Sequence, residues 1–144
     1  MPIPAGGIVT AGQLSRMQPV PYKAVAASAL VGPQSNADIP GASITLTTQA
    51  PNAIVVAEAV FDFDPSSSIS SLANGRLVID GSGVGEFAVY QSIGATQDRQ
   101  GTPQNYRETL AAAGSHTLKL ITTLPTNMTM NVYTTLIVTV YEVV

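Results

Sequence analysis

The sequence predicts an all-β fold, a single jelly-roll-like β-sandwich of about eight antiparallel strands with an extended N-terminal arm. Three observations carry this. From Tyr22 onward, β-branched residues alternate with polar ones at period two, the pattern of strands resting one face on a core. Turn signals punctuate the chain at Gly32-Pro33, Pro40-Gly41, Pro51-Asn52, Asn74-Gly75, Gly81-Ser82-Gly83, Ala113-Gly114 and Pro125-Thr126-Asn127. No apolar stripe at helical spacing persists beyond a short segment near the N-terminus.

Residues 1–21 form the arm. Pro2, Pro4, Pro19 and Pro21 bracket a short helix expected over 10–17. Thr10 and Gln13 have the spacing of a capping box, in which each side chain satisfies a backbone N–H left open at the helix start, and Leu14 and Met17 share a face. Gly12 opposes the helix. The segment holds too few apolar groups to bury itself, so it either docks on its own domain or reaches a neighbour.

One β-sandwich domain, 22–144, follows, with strands expected near 22–31, 43–49, 53–62, 75–80, 84–91, 105–110, 116–124 and 131–143. In the penultimate strand Leu118, Leu120 and Thr122 alternate with Lys119, Ile121 and Thr123, which makes it half-exposed. The last strand sets Val132, Thr134, Leu136, Val138, Val140 and Glu142 against Tyr133, Thr135, Ile137, Thr139, Tyr141 and Val143. Apolar groups on both faces place it centrally in the sandwich or between a sheet and a neighbouring subunit. Two polar stretches, 64–71 and 95–105, read as loops that present a surface, or as plain solvated loops.

Composition points to self-association. Hydrophobic residues make up 45% of the chain and charged residues 10%, against about 25% charged in ordinary soluble domains. The exterior must then be wetted by neutral polar groups or covered by other subunits. Tyr90, Ile93, Tyr133, Tyr141 and Val143, large side chains on otherwise polar strand faces, are the expected oligomer contacts; ordinary core packing is the competing reading for Tyr141 and Val143.

Several function classes fall away. The net charge is −3 and the six basic residues are scattered, so a phosphate backbone finds no basic face. The nearly apolar run from Ala53 to Phe61 contains Glu58 and is far shorter than the ~18 residues a membrane span needs. No basic stretch precedes an apolar core near Met1, so cytoplasmic synthesis is expected. With no cysteine there are no disulfides, thiolate sites or Cys nucleophiles.

Catalytic and metal constellations fail on spacing. His116 is the single histidine, and neighbouring Ser115 points to the opposite face of a strand, so the two cannot act as nucleophile and base. Asp62, Asp64 and Asp80 suggest a calcium site, but their spacing matches no calcium loop, and a turn-forming role accounts for Asp64 and Asp80. Glu58, Glu86, Glu108 and Glu142 fall on different strands with no Trp in the chain to platform a sugar. Gly81-Ser82-Gly83-Val84-Gly85 lacks the Lys and helix of a phosphate loop. No catalytic residue, metal ligand or cofactor is expected.

Two stretches resemble a known group of proteins. The opening Ile3-Pro4-Ala5-Gly6, Val9-Thr10-Ala11, Leu14 and Arg16-Met17-Gln18-Pro19 is one. The other is Gln104-Asn105-Tyr106-Arg107, Leu110-Ala111-Ala112, Gly114-Ser115-His116-Thr117-Leu118-Lys119-Leu120 and Asn131-Val132-Tyr133-Thr134-Thr135. Together they resemble small virion proteins of tailed phages of actinobacteria, described as head decoration, head fibre or minor tail proteins. The resemblance implies a virion part without fixing which; taken with the leading arm and the low charge, the expectation is a non-enzymatic capsid decoration protein, a homotrimer made in the bacterial cytoplasm that attaches to the outer capsid surface and stabilises it. Its arm, through Ile3, Pro4, Val9, Leu14, Arg16 and Met17, would contact the major capsid protein or a neighbouring subunit, with no nucleic acid or membrane partner. A tail-fibre or minor-tail receptor-binding module is the alternative.

Overall fold

The structure, a computed structural model, describes residues 10–67, 70–94 and 98–142. Its elements are α1 (Ala11–Met17), β1 (Val20–Val25), β2 (Leu30–Val31), β3 (Gln34–Thr48), β4 (Ala53–Pro65), β5 (Leu72–Ile79), β6 (Ser82–Gln91), β7 (Gln100–Leu110), β8 (Gly114–Leu124), β9 (Met128–Met130) and β10 (Thr135–Tyr141).

β4 organises the first sheet. One edge pairs with β7 over Ala53–Phe63; the other pairs with β10 over Ile54–Val60 and then with β9 over Phe63–Pro65. β10 carries β1, and β9 carries β2. The second sheet runs β3-β8-β5-β6, and every pairing in both sheets is antiparallel. Leaving aside short β2 and β9, the eight long strands in chain order lie 1-8-3-6 in one sheet and 2-7-4-5 in the other, a jelly roll. The chain is therefore an all-β sandwich, as its alternation predicts.

Alternation also places the core between the sheets. Ala53, Val55, Ala57, Ala59, Phe61 and Phe63 line the inner face of β4, opposite Leu118, Leu120 and Leu124 of β8. Leu77, Met128, Met130, Leu136 and Val138 complete it. Each of the larger side chains contributes about 1.5–3 kcal/mol by leaving water, and with no disulfide this packing is what holds the sheets together.

At the N-terminal end, the expected capping box forms: the Gln13 N–H donates to Thr10 Oγ1 (3.2 Å) and the Thr10 N–H donates to Gln13 Oε1 (2.9 Å). Four other expectations need correction. The strand expected over 22–31 breaks after Val25, because the Ala26 N–H turns to the Thr134 carbonyl (2.9 Å) and that of Ala27 to the Pro40 carbonyl (2.7 Å). Pro40-Gly41 reverses nothing. It is an irregularity inside β3, where a Cβ on Gly41 would lie 2.6 Å from the Ala27 nitrogen and φ is +81°.

Asn74-Gly75 likewise lies inside β5, where Gly75 makes room for a ring: a Cβ there would sit 2.3 Å from Phe61. The β5–β6 hairpin turns instead on Asp80-Gly81, both at positive φ, between paired Ile79 and Ser82. Finally, the strand expected over 131–143 starts only at Thr135, as β10, because 131–134 form the turn between β9 and β10. At the break the Asn131 N–H donates to the Asp62 carbonyl and the Thr134 N–H folds back onto the Asn131 carbonyl.

Candidate functional site

The strand order gathers four connections at one end of the sandwich: 26–33, 66–71, 92–99 and 125–134. The two loops singled out by their polarity are thus neighbours, stitched together where the Ser92 N–H donates to the Ser71 carbonyl (3.0 Å) and the Ser71 N–H donates to Ser92 Oγ (3.0 Å). The second loop is short, because β7 already begins at Gln100 and takes in Gln104. Asp98 shapes this loop. Its carboxylate accepts from the Ile93 N–H (2.8 Å), and its carbonyl accepts from the Tyr90 hydroxyl.

An ion pair sits at the centre of this end. Arg99 Nε and Nη2 donate to the two oxygens of Asp62 (2.9 and 2.6 Å), a bidentate fork on a buried carboxylate. This contact raises the Arg99 pKa further above its already high value. The guanidinium also lies 4.8 Å from the centre of the Tyr133 ring. Beside it, Asn131 Nδ2 donates to Asp64 Oδ2 (3.0 Å) and Asn131 Oδ1 accepts from the Val132 N–H (3.1 Å). The result is a braced platform from which Tyr133 and Ile93 project, 67% and 79% exposed.

These positions sort the expected contact residues. Tyr133 and Ile93 are open to a partner at the loop end, and Tyr141 is exposed on the outer face of the first sheet. Tyr90 is not a surface residue: it is 3% exposed, its ring stacked 5.4 Å from Phe63, and burial followed by the Asp98 carboxylate pushes its phenol up to about 12. It belongs to the core because the inner face of β6 carries Ala88 and Tyr90, while the apolar Phe87 and Val89 face out. On the arm, Leu14 and Met17 are both exposed. Ile3, Pro4, Val9 and Val143, and the side chain of Arg16, lie outside the described residues.

The opposite end holds a pair that sequence spacing did not reveal. His116, on β8, faces Asp80 Oδ2 with Nδ1 (2.7 Å) and the Ala112 carbonyl with Nε2 (3.1 Å), while Asp80 Oδ1 accepts from the Thr117 N–H (2.8 Å). The bonds from His116, then that from Thr117, hold the Asp80 carboxyl below the usual carboxylate range against the opposing effect of burial. Both ring nitrogens thus face acceptors, one on each side of the imidazole. Asp62 and Asp64 lie at the other end, held by Arg99 and Asn131, so the three carboxylates do not converge. Among the described residues, no group of three or more metal-ligating side chains assembles, and no helix is long and apolar enough to cross a membrane.

No family model and no curated protein matches the sequence. Solved structures do. Dimeric latent PorU from Porphyromonas gingivalis matches with a TM-score of 0.53 at 9% identity, over 86% of this chain and 13% of that one. The infectious bursal disease virus Gt strain structure matches with a TM-score of 0.49 at 17% identity, over 86% of this chain and 32% of that one. The CBM36-1 domain of a xylanase from the hindgut metagenome of Trinervitermes trinervoides gives 0.39 at 17% identity, over 82% and 96%. The chain therefore spans a small part of PorU and about a third of the viral chain. The likeness to PorU is one of fold.

The described residues also present contact surfaces. Three stand out. The loop end presents Ile93, Arg99 and Tyr133. α1 presents Leu14 and Met17. The outer face of the first sheet presents Val25, Val60, Ile137 and Tyr141, with half-buried Ile54 and Val56 between them.

Proposed function

We propose that this chain is a non-enzymatic, self-associating structural protein of a tailed phage particle, attached to the outer surface of the head through its N-terminal arm. One observation carries the arm's role. α1 is formed and capped, yet both of its large apolar side chains, Leu14 and Met17, remain 54% and 50% exposed. Of the two fates open to the arm, reaching a neighbour is the one that covers them. The setting rests on the sequence resemblance over residues 3–19 and 104–135, and the low charge content agrees with copies that cover one another on a lattice. The resemblance adds a trimer and the major capsid protein as the partners to test.

Deleting residues 2–18 should abolish binding to capsid shells while leaving the oligomer intact by light scattering. Binding that survives the deletion removes the reading. A second reading, a receptor-binding module of the tail, is favoured by the loop end, where Tyr133 and Ile93 project from a braced base. It predicts that Tyr133→Ala lowers adsorption to host cells and that quantitative mass spectrometry of whole particles finds only a handful of copies. A head protein is present in many.

A further inference from the structure

The outer face of the first sheet has a charge pattern that selects its own partner. Three residues lie side by side across adjacent strands: Lys23 on β1, Ile137 on β10 and Glu58 on β4. All three point outward, since their chain neighbours Ala24, Leu136, Val138, Ala57 and Ala59 are buried. Among the described residues, neither Lys23 nor Glu58 has a side-chain hydrogen bond or ion pair, and about 10 Å separates their Cα positions across β10. The flanking rows are uncharged across these three strands: Val25–Thr135–Val60 on one side and Pro21–Thr139–Val56 on the other. Arg107, beside Val56 on β7, is the remaining charge near the rows, and it lies toward the sheet edge.

We propose that this face binds the same face of a second copy about a two-fold axis running along β10 through Ile137. That operation lays β1 of one copy over β4 of the other. Lys23 then meets the second copy's Glu58 twice over, Val25 meets its Val60, Pro21 its Val56, and Ile137 meets itself. The other in-plane two-fold, perpendicular to the strands, stacks Lys23 on Lys23 and Glu58 on Glu58, which like-charge repulsion disfavours. Charge thus chooses one of two packings that shape alone would permit. The offset of about 30° between packed sheets moves the paired positions by only a few ångströms, within reach of a lysine stem.

The footprint is that of a weak pair. An axis along β10 overlays only β1, β10 and β4, and three strands at their usual spacing by the seven residues of β10 give a face of roughly 14 by 23 Å, on the order of 650 Å2 over two copies before side-chain relief is counted. Stable specific interfaces begin at about 1000 Å2, so this pairing is concentration-dependent. This inference rests on the self-association proposed above and amends its symmetry, because an isologous face builds pairs, not the trimer that the resemblance implies.

The test is sedimentation of the full chain over a range of concentrations, with circular dichroism confirming the fold of each variant. Wild type should dimerise, Glu58→Lys should raise the dimer dissociation constant by about tenfold or more, and adding Lys23→Glu to that variant should recover pairing. Glu86→Lys, on the other sheet, makes the same change in net charge and should leave the dimer unaltered. A trimer indifferent to Glu58→Lys overturns this face while leaving the structural-protein reading intact. A chain that stays monomeric at high concentration overturns both the face and the self-association.

Discussion

A Cβ on Gly75 would meet two ring carbons of Phe61 at 2.3 Å, and Phe61 has no room to retreat, being fully buried with Phe63 stacked 6.3 Å away. Gly75→Ala should therefore cost about 1–3 kcal/mol by overpacking. The cost should shrink when Phe61→Leu is made in the same chain, because the two positions share one space. Urea midpoints at unchanged slope check both. Asp80 makes a pH prediction at the other end. Its carboxyl is held below its ordinary value by His116 and Thr117, so its contribution to stability is present above about pH 3.9, the unfolded value, and is lost as pH falls through the lower folded one. Against Asp80→Asn, wild type should be the more stable chain at neutral pH, and the difference should vanish in strong acid. A stability gap that stays constant down to pH 2 would contradict the pairing.

Legibility at the scale of elements divides by the range of the interaction that decides each one. α1 was legible because a capping box is settled within four residues. β8 was legible because the faces of a strand follow from alternation, and Leu118 and Leu120 are buried as their spacing predicts; for β10 alternation separates Leu136 and Val138 from Ile137 and Tyr141 without saying which pair is inside. Tyr90 marks the limit of that rule: alternation separates Tyr90 from Phe87 and Val89 but does not say which side of β6 meets the core when both carry apolar groups. The break between β9 and β10 was hidden for another reason. Val132-Tyr133-Thr134 continues the alternation, and what folds it back is Asn131 bonding to Asp62 and Asp64, far away in the chain. The Asp80–His116 pair, 36 residues apart, was equally invisible. Asn131→Ala should thus speed amide exchange at Val132 and nearby loop-end amides while costing only about 1–2 kcal/mol globally, from the two side-chain hydrogen bonds lost. Equal acceleration across β4 and β8 would show that the turn is not a local unit.

At the scale of the molecule the two termini have opposite roles. β10 is inserted between β1 and β4, in register with both, so the last described strand is what attaches the first strand to its sheet. Removing residues 135–144 would take Leu136, Val138 and Val140 from the core, release β1, and open one edge of β4 along Ile54–Val60. Each lost side chain alone costs about 1.5–3 kcal/mol of burial, and together with the released β1 and the unpaired edge of β4 this takes most or all of a domain stability of roughly 5–15 kcal/mol. α1, by contrast, leaves Leu14 and Met17 exposed and contributes no side chain to the core cluster. The truncated chain ending at 134 should therefore lack a cooperative thermal transition, whereas the chain lacking residues 2–18 should keep one within a few degrees of wild type. Calorimetry of the two deletions decides the matter. A large drop in melting temperature on losing the arm would mean that α1 belongs to the fold of its own subunit, and the surface on which attachment to a neighbour depends would have to be sought elsewhere.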